Sequence, residues 1–263
     1  MKVTDMLAAG QLREAIHEAT RMVRESPFDL DARSLLVECL ILACEYERAD
    51  KQLDTIVHQH PESMGGVSLL RQLIRAEMAR KDFYEKGRVP EFVDQPQDNV
   101  QQMLRASIFL REGELPSASE VFNKLEETRQ QRSGSCNGSS FEDFRDLDDR
   151  LGTVFEVLTT TGKYYWIPTN SIKKIEFRKA ENLLDIKWRR AYVETTDDNL
   201  QGEVYIPGTY YSDIETTHDV AKLGRTTDWV GGENGPACGI GQKMFLVGEE
   251  AKTIMELETL SFE

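Results

Sequence analysis

Long apolar runs are missing from this chain of 263 residues, and so is any excess of positive charge. Nothing in it approaches the roughly 20 consecutive apolar residues that a membrane-spanning helix needs. The opening stretch, MKVTDMLAAGQLREAIHEAT, is acidic and helical in period, without the apolar core of a secretion signal. The expectation is therefore a cytoplasmic protein that does not insert into a membrane. The net charge is −14, and both halves share it: residues 1–140 carry 18 Lys+Arg against 23 Asp+Glu, residues 141–263 carry 14 against 23. Duplex nucleic acid needs a basic stripe for its phosphates, so no nucleic-acid partner is expected. The four cysteines (Cys39, Cys44, Cys136, Cys238) form no Cys-x-x-Cys pair, which argues against structural zinc and a disulfide framework. With 40% hydrophobic and 30% charged residues, the chain has the composition of a soluble globular protein.

Among what is present, the stretch from Trp188 to Tyr211 organises the second half. Val204, Ile206 and Tyr210 alternate with Glu203, Tyr205 and Thr209, the period of a half-buried strand. The run Thr195 to Gly202 between the two strand-like pieces is rich in turn formers. Arg189 and Arg190 place two cations in the first strand.

The first half has a different period. Leu12, Ala15, Ile16, Ala19, Met22 and Val23 share one helical face, and Ser26-Pro27 ends that helix. Gly10-Gln-Leu-Arg-Glu-Ala15 corresponds to Cys44-Glu-Tyr-Glu-Arg-Ala49, and Pro27 to Pro61, each 34 residues on. That is the tetratricopeptide period. Gly113-Glu-Leu-Pro-Ser-Ala118 repeats the motif, and between them Lys86 to Pro90 interrupts a degenerate unit. Such arrays offer a concave face to a peptide or helix, although a short one can pack on the rest of its own chain.

Residues 130–140, QQRSGSCNGSS, have the composition of a flexible connection. The expected organisation is a helical domain over 1–130, a linker over 131–140 and a β-rich domain over 141–263. The fold class is α+β: a tetratricopeptide-like repeat followed by a small, mainly antiparallel sheet or partial barrel of about six strands. Strand-like runs at 154–158, 163–167, 172–177, 243–247 and 253–257 support it.

Candidate chemistry is sparse. Asp146, Asp148 and Asp149 lack the glycine and distal glutamate of a calcium loop. The glycines of GGENGPACGIG precede no Lys-Ser/Thr pair and follow no dinucleotide pattern. His218, with Asp213, Glu215 or Asp219 nearby, is more simply a surface histidine, and Asp228 beside Trp229 and Arg225 a structural ion pair. A ligand pocket or active site near Arg225, Asp228 and His218 stands as an alternative. No catalytic residue, cofactor or metal is expected.

Six blocks carry a resemblance. Tyr164-Tyr-Trp-Ile-Pro168, Ile175-Glu-Phe177, Trp188-Arg-Arg-Ala191, Gly202-Glu-Val-Tyr-Ile-Pro207, Leu223-Gly-Arg-Thr-Thr-Asp-Trp229 and Gly239-Ile-Gly-Gln242 resemble, in order, the ImpE family. These are the SciE-type accessory proteins of the bacterial type VI secretion system, also called TagJ. The likeness covers residues 144–250 strongly and the helical half more loosely. Glu181 to Lys187 depart from the family's approach to the Trp-Arg-Arg block, and 133–140 are inserted. The resemblance implies a virulence-associated, non-enzymatic adaptor for protein–protein interaction. Its implied partner is the N-terminal helix of the small contractile-sheath subunit, with a link to the AAA+ ATPase ClpV that recycles contracted sheath. A general tetratricopeptide scaffold with another protein partner is the other alternative. Candidate partner contacts are Tyr164, Tyr165, Trp166, Trp188, Arg189, Arg190, Tyr192, Arg225 and Trp229. The helical half is the expected seat of the partner helix.

Overall fold

A computed structural model describes residues 2–197, 199–213, 215–232 and 235–263. The first half is helical: α1 (Val3–Ala8), α2 (Leu12–Glu25), α3 (Leu30–Leu42), α4 (Tyr46–Gln59), α5 (Met64–Lys86), α6 (Asp98–Glu112) and α7 (Leu115–Thr128). The repeat has a backbone cause. Gly10, Cys44 and Gly113 all take left-handed φ (78°, 60° and 77°), which turns the chain sharply into α2, α4 and α7. Five residues on, Ala15, Ala49 and Ala118 are fully buried, where only a small side chain lets paired helices approach. Asp29 caps α3 by accepting from the backbone N–H groups of Asp31 and Ala32. The interrupted unit contains one long helix, α5, closed by Gly87 in the left-handed region. The extended segment after it lays Glu91 beside Tyr165.

The second half holds thirteen strands among the described residues: β1 (Gly134–Cys136), β2 (Ser139–Phe141), β3 (Phe144–Asp146), β4 (Val154–Leu158), β5 (Tyr164–Pro168), β6 (Ile172–Phe177), β7 (Trp188–Thr195), β8 (Gln201–Pro207), β9 (Thr227–Gly232), β10 (Gly235–Gly241), β11 (Met244–Val247), β12 (Glu250–Thr253) and β13 (Thr259–Phe262). A short helix, α8 (Asp219–Lys222), precedes β9. Eight strands form one sheet in the order β2-β1-β13-β6-β7-β8-β4-β5. The strands β12-β11-β3 form a second sheet, and β9 and β10 a ribbon. The expectation of about six strands is thus too low. The β7–β8 hairpin is central, pairing Trp188 with Pro207, Ala191 with Val204 and Glu194 with Gln201.

Two cores flank the large sheet. On one face Phe155, Val157, Ile175, Val193 and Ile206 pack with Phe144 and Phe245. On the other, Leu158, Trp166 and Trp188 join Leu36, Leu40, Leu73 and Phe83 of the helices in one continuous core. Helix α3 is consequently buried on most of its surface, at Leu36, Val37 and from Cys39 to Leu42.

The flexible linker expected over 131–140 is not what these residues form. β1 pairs with β2 and with β13, and Cys136 and Phe141 are buried. Asn137 (φ 51°) and Gly138 (φ 84°) make the two-residue turn, the left-handed pair that a tight hairpin prefers. Gly134 is required because a Cβ there would lie 2.0 Å from the Ser261 carbonyl oxygen.

Candidate partner-binding groove

The helical array meets the sheet through a buried ionic network. Arg80 of α5 grips Glu156 of β4 with two parallel bonds, Nε to Oε1 and Nη2 to Oε2, both 2.8 Å. Its Nη1 donates to Glu77 at 3.0 Å, and Nη2 also reaches the Thr209 carbonyl at 3.0 Å. Tyr84 and Tyr164 donate their hydroxyls to Glu156, and Trp166 Nε1 donates to the Tyr164 oxygen. Trp188 Nε1 donates to Glu77 at 3.1 Å. Lys243 lies 2.9 Å from Glu156 and 3.4 Å from Asp146. Burial by itself would raise the Glu156 carboxyl, but Arg80 and Lys243 hold it far below the ordinary range. Burial prevails at Asp146, pushing it up to about 6 against the pull of Lys243. With its partners so matched, this network fixes how helices and sheet sit together.

That placement corrects several expected contacts. Tyr164, Trp166 and Trp188 are at most 2% exposed and serve the network and core, so Tyr164 and Trp166 offer no surface to a partner and Trp188 only underlies the groove between α5 and the β7–β8 hairpin. Arg189 is only 4% exposed, and its Nε has no acceptor among the described residues. Tyr165 and Tyr192 are half-buried, Tyr165 beneath the Lys163 ammonium. Arg190 is exposed and donates to Glu203 at 2.7 Å. Arg225, also exposed, ties α8 to the helices by donating to the Ala8 carbonyl at 2.6 Å. Trp229 is 42% exposed, its ring 5.7 Å from that of Tyr210. Among the described residues no hydrogen bond or ion pair joins His218, Arg225 and Asp228. No group of three His, Cys, Asp or Glu is placed to hold a metal ion among the described residues.

The helix-to-sheet contact leaves one opening useful to a partner. A groove of about 530 Å³ runs between Leu69, Leu70 and Leu73 of α5 and Leu184, Trp188 and Tyr205 of the sheet side. Arg178 and Arg190 stand on its rim, both engaged by Glu203. Glu38 of α3 also lines it, half-buried and without a hydrogen bond or ion pair among the described residues. Burial raises its carboxyl above the ordinary value. Trp188 and Arg190 are the expected contacts that reach this groove. Leu69, Leu70, Leu73, Tyr205 and Glu38 were not legible as a site, because the sequence separates its two walls by more than a hundred residues.

Comparison with known proteins agrees with this architecture. Residues 138–261 match the family model described as ImpE protein, and residues 6–74 a tetratricopeptide repeat model. The chain is 24% identical to the type VI secretion system accessory component TagJ of Pseudomonas aeruginosa over 263 residues, covering all of this chain and 92% of that protein. It superposes on the crystal structure of VPA1032 from Vibrio parahaemolyticus with a TM-score of 0.91 at 33% identity. That match covers 99% of this chain and 97% of that one.

Proposed function

Since the chain belongs to the ImpE/TagJ family of type VI secretion accessory proteins, we propose that it is a non-enzymatic adaptor whose Leu69–Trp188 groove receives an amphipathic helix. The helix assigned to it is the N-terminal helix of the small contractile-sheath subunit. A type VI accessory role is the family's. The sheath helix and the link to ClpV are the finer proposal, and the ClpV link rests on the family resemblance alone. Cytoplasmic residence belongs to the same proposal: among the described residues no helix is long and apolar enough to cross a membrane.

The observation that carries the proposal is the groove itself. The helical half, the expected seat for a helix, is packed against the protein's own sheet through Arg80, Glu156 and Trp188. What remains open is a trough with leucines on one wall and aromatic rings on the other. An amphipathic helix fills such a trough with residues spaced i, i+3/i+4 and i+7. The bare carboxylate of Glu38 favours a partner with a Lys or Arg beside its apolar stripe, because an ion pair would offset that group's desolvation.

The test titrates a synthetic peptide of the sheath subunit's N-terminal helix into the full chain by calorimetry. Tyr205→Ala should weaken binding by about 1–3 kcal/mol, as aromatic anchors of interfaces do. Leu70→Glu should abolish it, and Glu38→Gln should weaken it modestly. A peptide that binds equally to wild type and Leu70→Glu moves the site elsewhere. A peptide that binds neither removes the sheath assignment and leaves a scaffold with another partner.

A further inference from the structure

Nine arginines form ion pairs among the described residues, and Arg132 is not one of them although it lies beside Asp143. A cleft of about 340 Å³ opens where the start of α6, the end of α7 and the turn between β5 and β6 meet. Its volume falls in the range of small-molecule sites. In a chain with 46 Asp and Glu, none of the residues lining this cleft is acidic, and two are arginines. Arg129 is neutralised: Nη1 and Nη2 donate to the two oxygens of Asp143 at 2.7 and 2.6 Å, and Nε donates to Glu126 at 3.0 Å. The Arg132 guanidinium forms no ion pair among the described residues. Its Nη2 donates to the Ile172 carbonyl at 3.3 Å, its Cζ lies 5.4 Å from the Phe262 ring centre, and its Nε is buried without an acceptor. Asp143 accepts from the Arg132 backbone N–H, at 3.3 Å, rather than from its side chain. Thr128, Thr153, Thr169 and Asn170 add hydroxyl and amide groups to the walls, and Leu125 and Phe144 an apolar floor.

We propose that this cleft binds a small organic anion, a carboxylate or a phosphate ester, whose oxyanion meets Arg132 while its carbon body lies on Leu125 and Phe144. With Nη2 donating to Ile172 and Nε buried, Nη1 is the guanidinium nitrogen left to meet an oxyanion, and a charge-assisted bond to it is stronger than a neutral one. The carboxylate-free lining spares the ligand the repulsion that a net charge of −14 imposes elsewhere. Hydroxyls and amides on the walls suit a ligand with several acceptor oxygens. The cleft shares no lining residue with the Leu69–Trp188 groove, so the two sites can be tested separately.

The experiment is calorimetry on the full chain at low salt, with citrate in one arm and glycerol 3-phosphate in the other. At least one probe should bind one site per chain with Kd below about 1 mM. Arg132→Gln should weaken that binding at least about tenfold, and Arg132→Lys should fall between, keeping the charge and losing the fixed planar placement of Nη1. Asn170→Asp, an exposed change that places a carboxylate at the mouth of the cleft, should weaken it too and guards against an Arg132 variant that fails to fold. Binding of citrate alone assigns a carboxylate ligand, and binding of glycerol 3-phosphate alone assigns a phosphate ester. No binding in either arm overturns the proposal, and so does binding that Arg132→Gln and Asn170→Asp leave unchanged.

Discussion

Lys243 lies within reach of two buried carboxylates, and their surroundings treat them oppositely. Glu156 accepts from Arg80 and Lys243 and stays ionised. Its carboxyl is held below the ordinary value, so its stabilising contribution is present at neutral pH and is lost as pH falls. Asp146 is raised to about 6, so between about pH 4 and 6 the unfolded chain releases this proton more readily than the folded one. Ionisation of Asp146 therefore opposes folding as pH rises through that window. Glu156→Gln should destabilise the protein by about 3–5 kcal/mol, since it takes one of two carboxylates from the buried Arg80 and the nearer of two from the buried Lys243. Asp146→Asn keeps an acceptor oxygen for the Tyr210 hydroxyl and the Asp148 N–H, and at pH 7 should cost no more than about 1 kcal/mol or stabilise. Urea unfolding of both variants near pH 5 and pH 7 measures this, and equal losses would refute the assignment. None of this was legible in sequence. Glu77 and Arg80, three apart on α5, look like a solvated surface pair, and Glu156 looks like the wet position of an alternating strand. All three are buried because both sides of β4 are covered.

Local backbone chemistry was the more readable layer. The 34-residue period, the left-handed turn at Gly10 and Cys44 and the small residues at Ala15 and Ala49 all act within a few residues, so the repeats could be read directly. The β1–β2 hairpin carried an equally local signal in Asn137-Gly138, but a Gly/Ser-rich composition obscured it. The consequence is testable. Asp143 holds the Arg129 guanidinium and the Arg132 backbone N–H, and the Ser133 carbonyl accepts from Glu263 N–H beside β1, so the peptide bonds after Arg129 and Arg132, just outside the paired strands, should resist limited trypsin digestion. Gly134→Ala forces a Cβ into the Ser261 carbonyl and should release the strand, making those bonds the first to be cut. Early cleavage there in the wild type would restore the linker.

At the scale of the molecule, the sequence shows two periods, and it is tempting to assign two independent folding units. The packing argues for one. Leu36, Leu73 and Phe83 share a core with Leu158, Trp166 and Trp188, and the Arg80–Glu156 pair crosses between the layers. Cutting the chain near residue 130 exposes that apolar face on both pieces and leaves Glu156 with Lys243 but without its guanidinium. Fragments 1–130 and 141–263 should each unfold at lower temperature than the whole and without a sharp transition, whereas the intact chain should melt in one cooperative step. The same interface explains why the groove was invisible beforehand. Its walls are α5 and the β7–β8 hairpin, brought together only by long-range packing, so a periodic pattern could reveal each wall but not the space between them. If calorimetry of the intact chain shows two separate transitions, or if either fragment melts as high as the whole, the layers are autonomous. The groove would then depend on a docking that can open, and peptide affinity should fall when the Arg80–Glu156 tie is removed by Arg80→Met at unchanged stability of each layer. If melting is single-stepped, Arg80→Met should instead lower the melting temperature of the whole chain and reduce peptide binding only in proportion to the unfolded fraction.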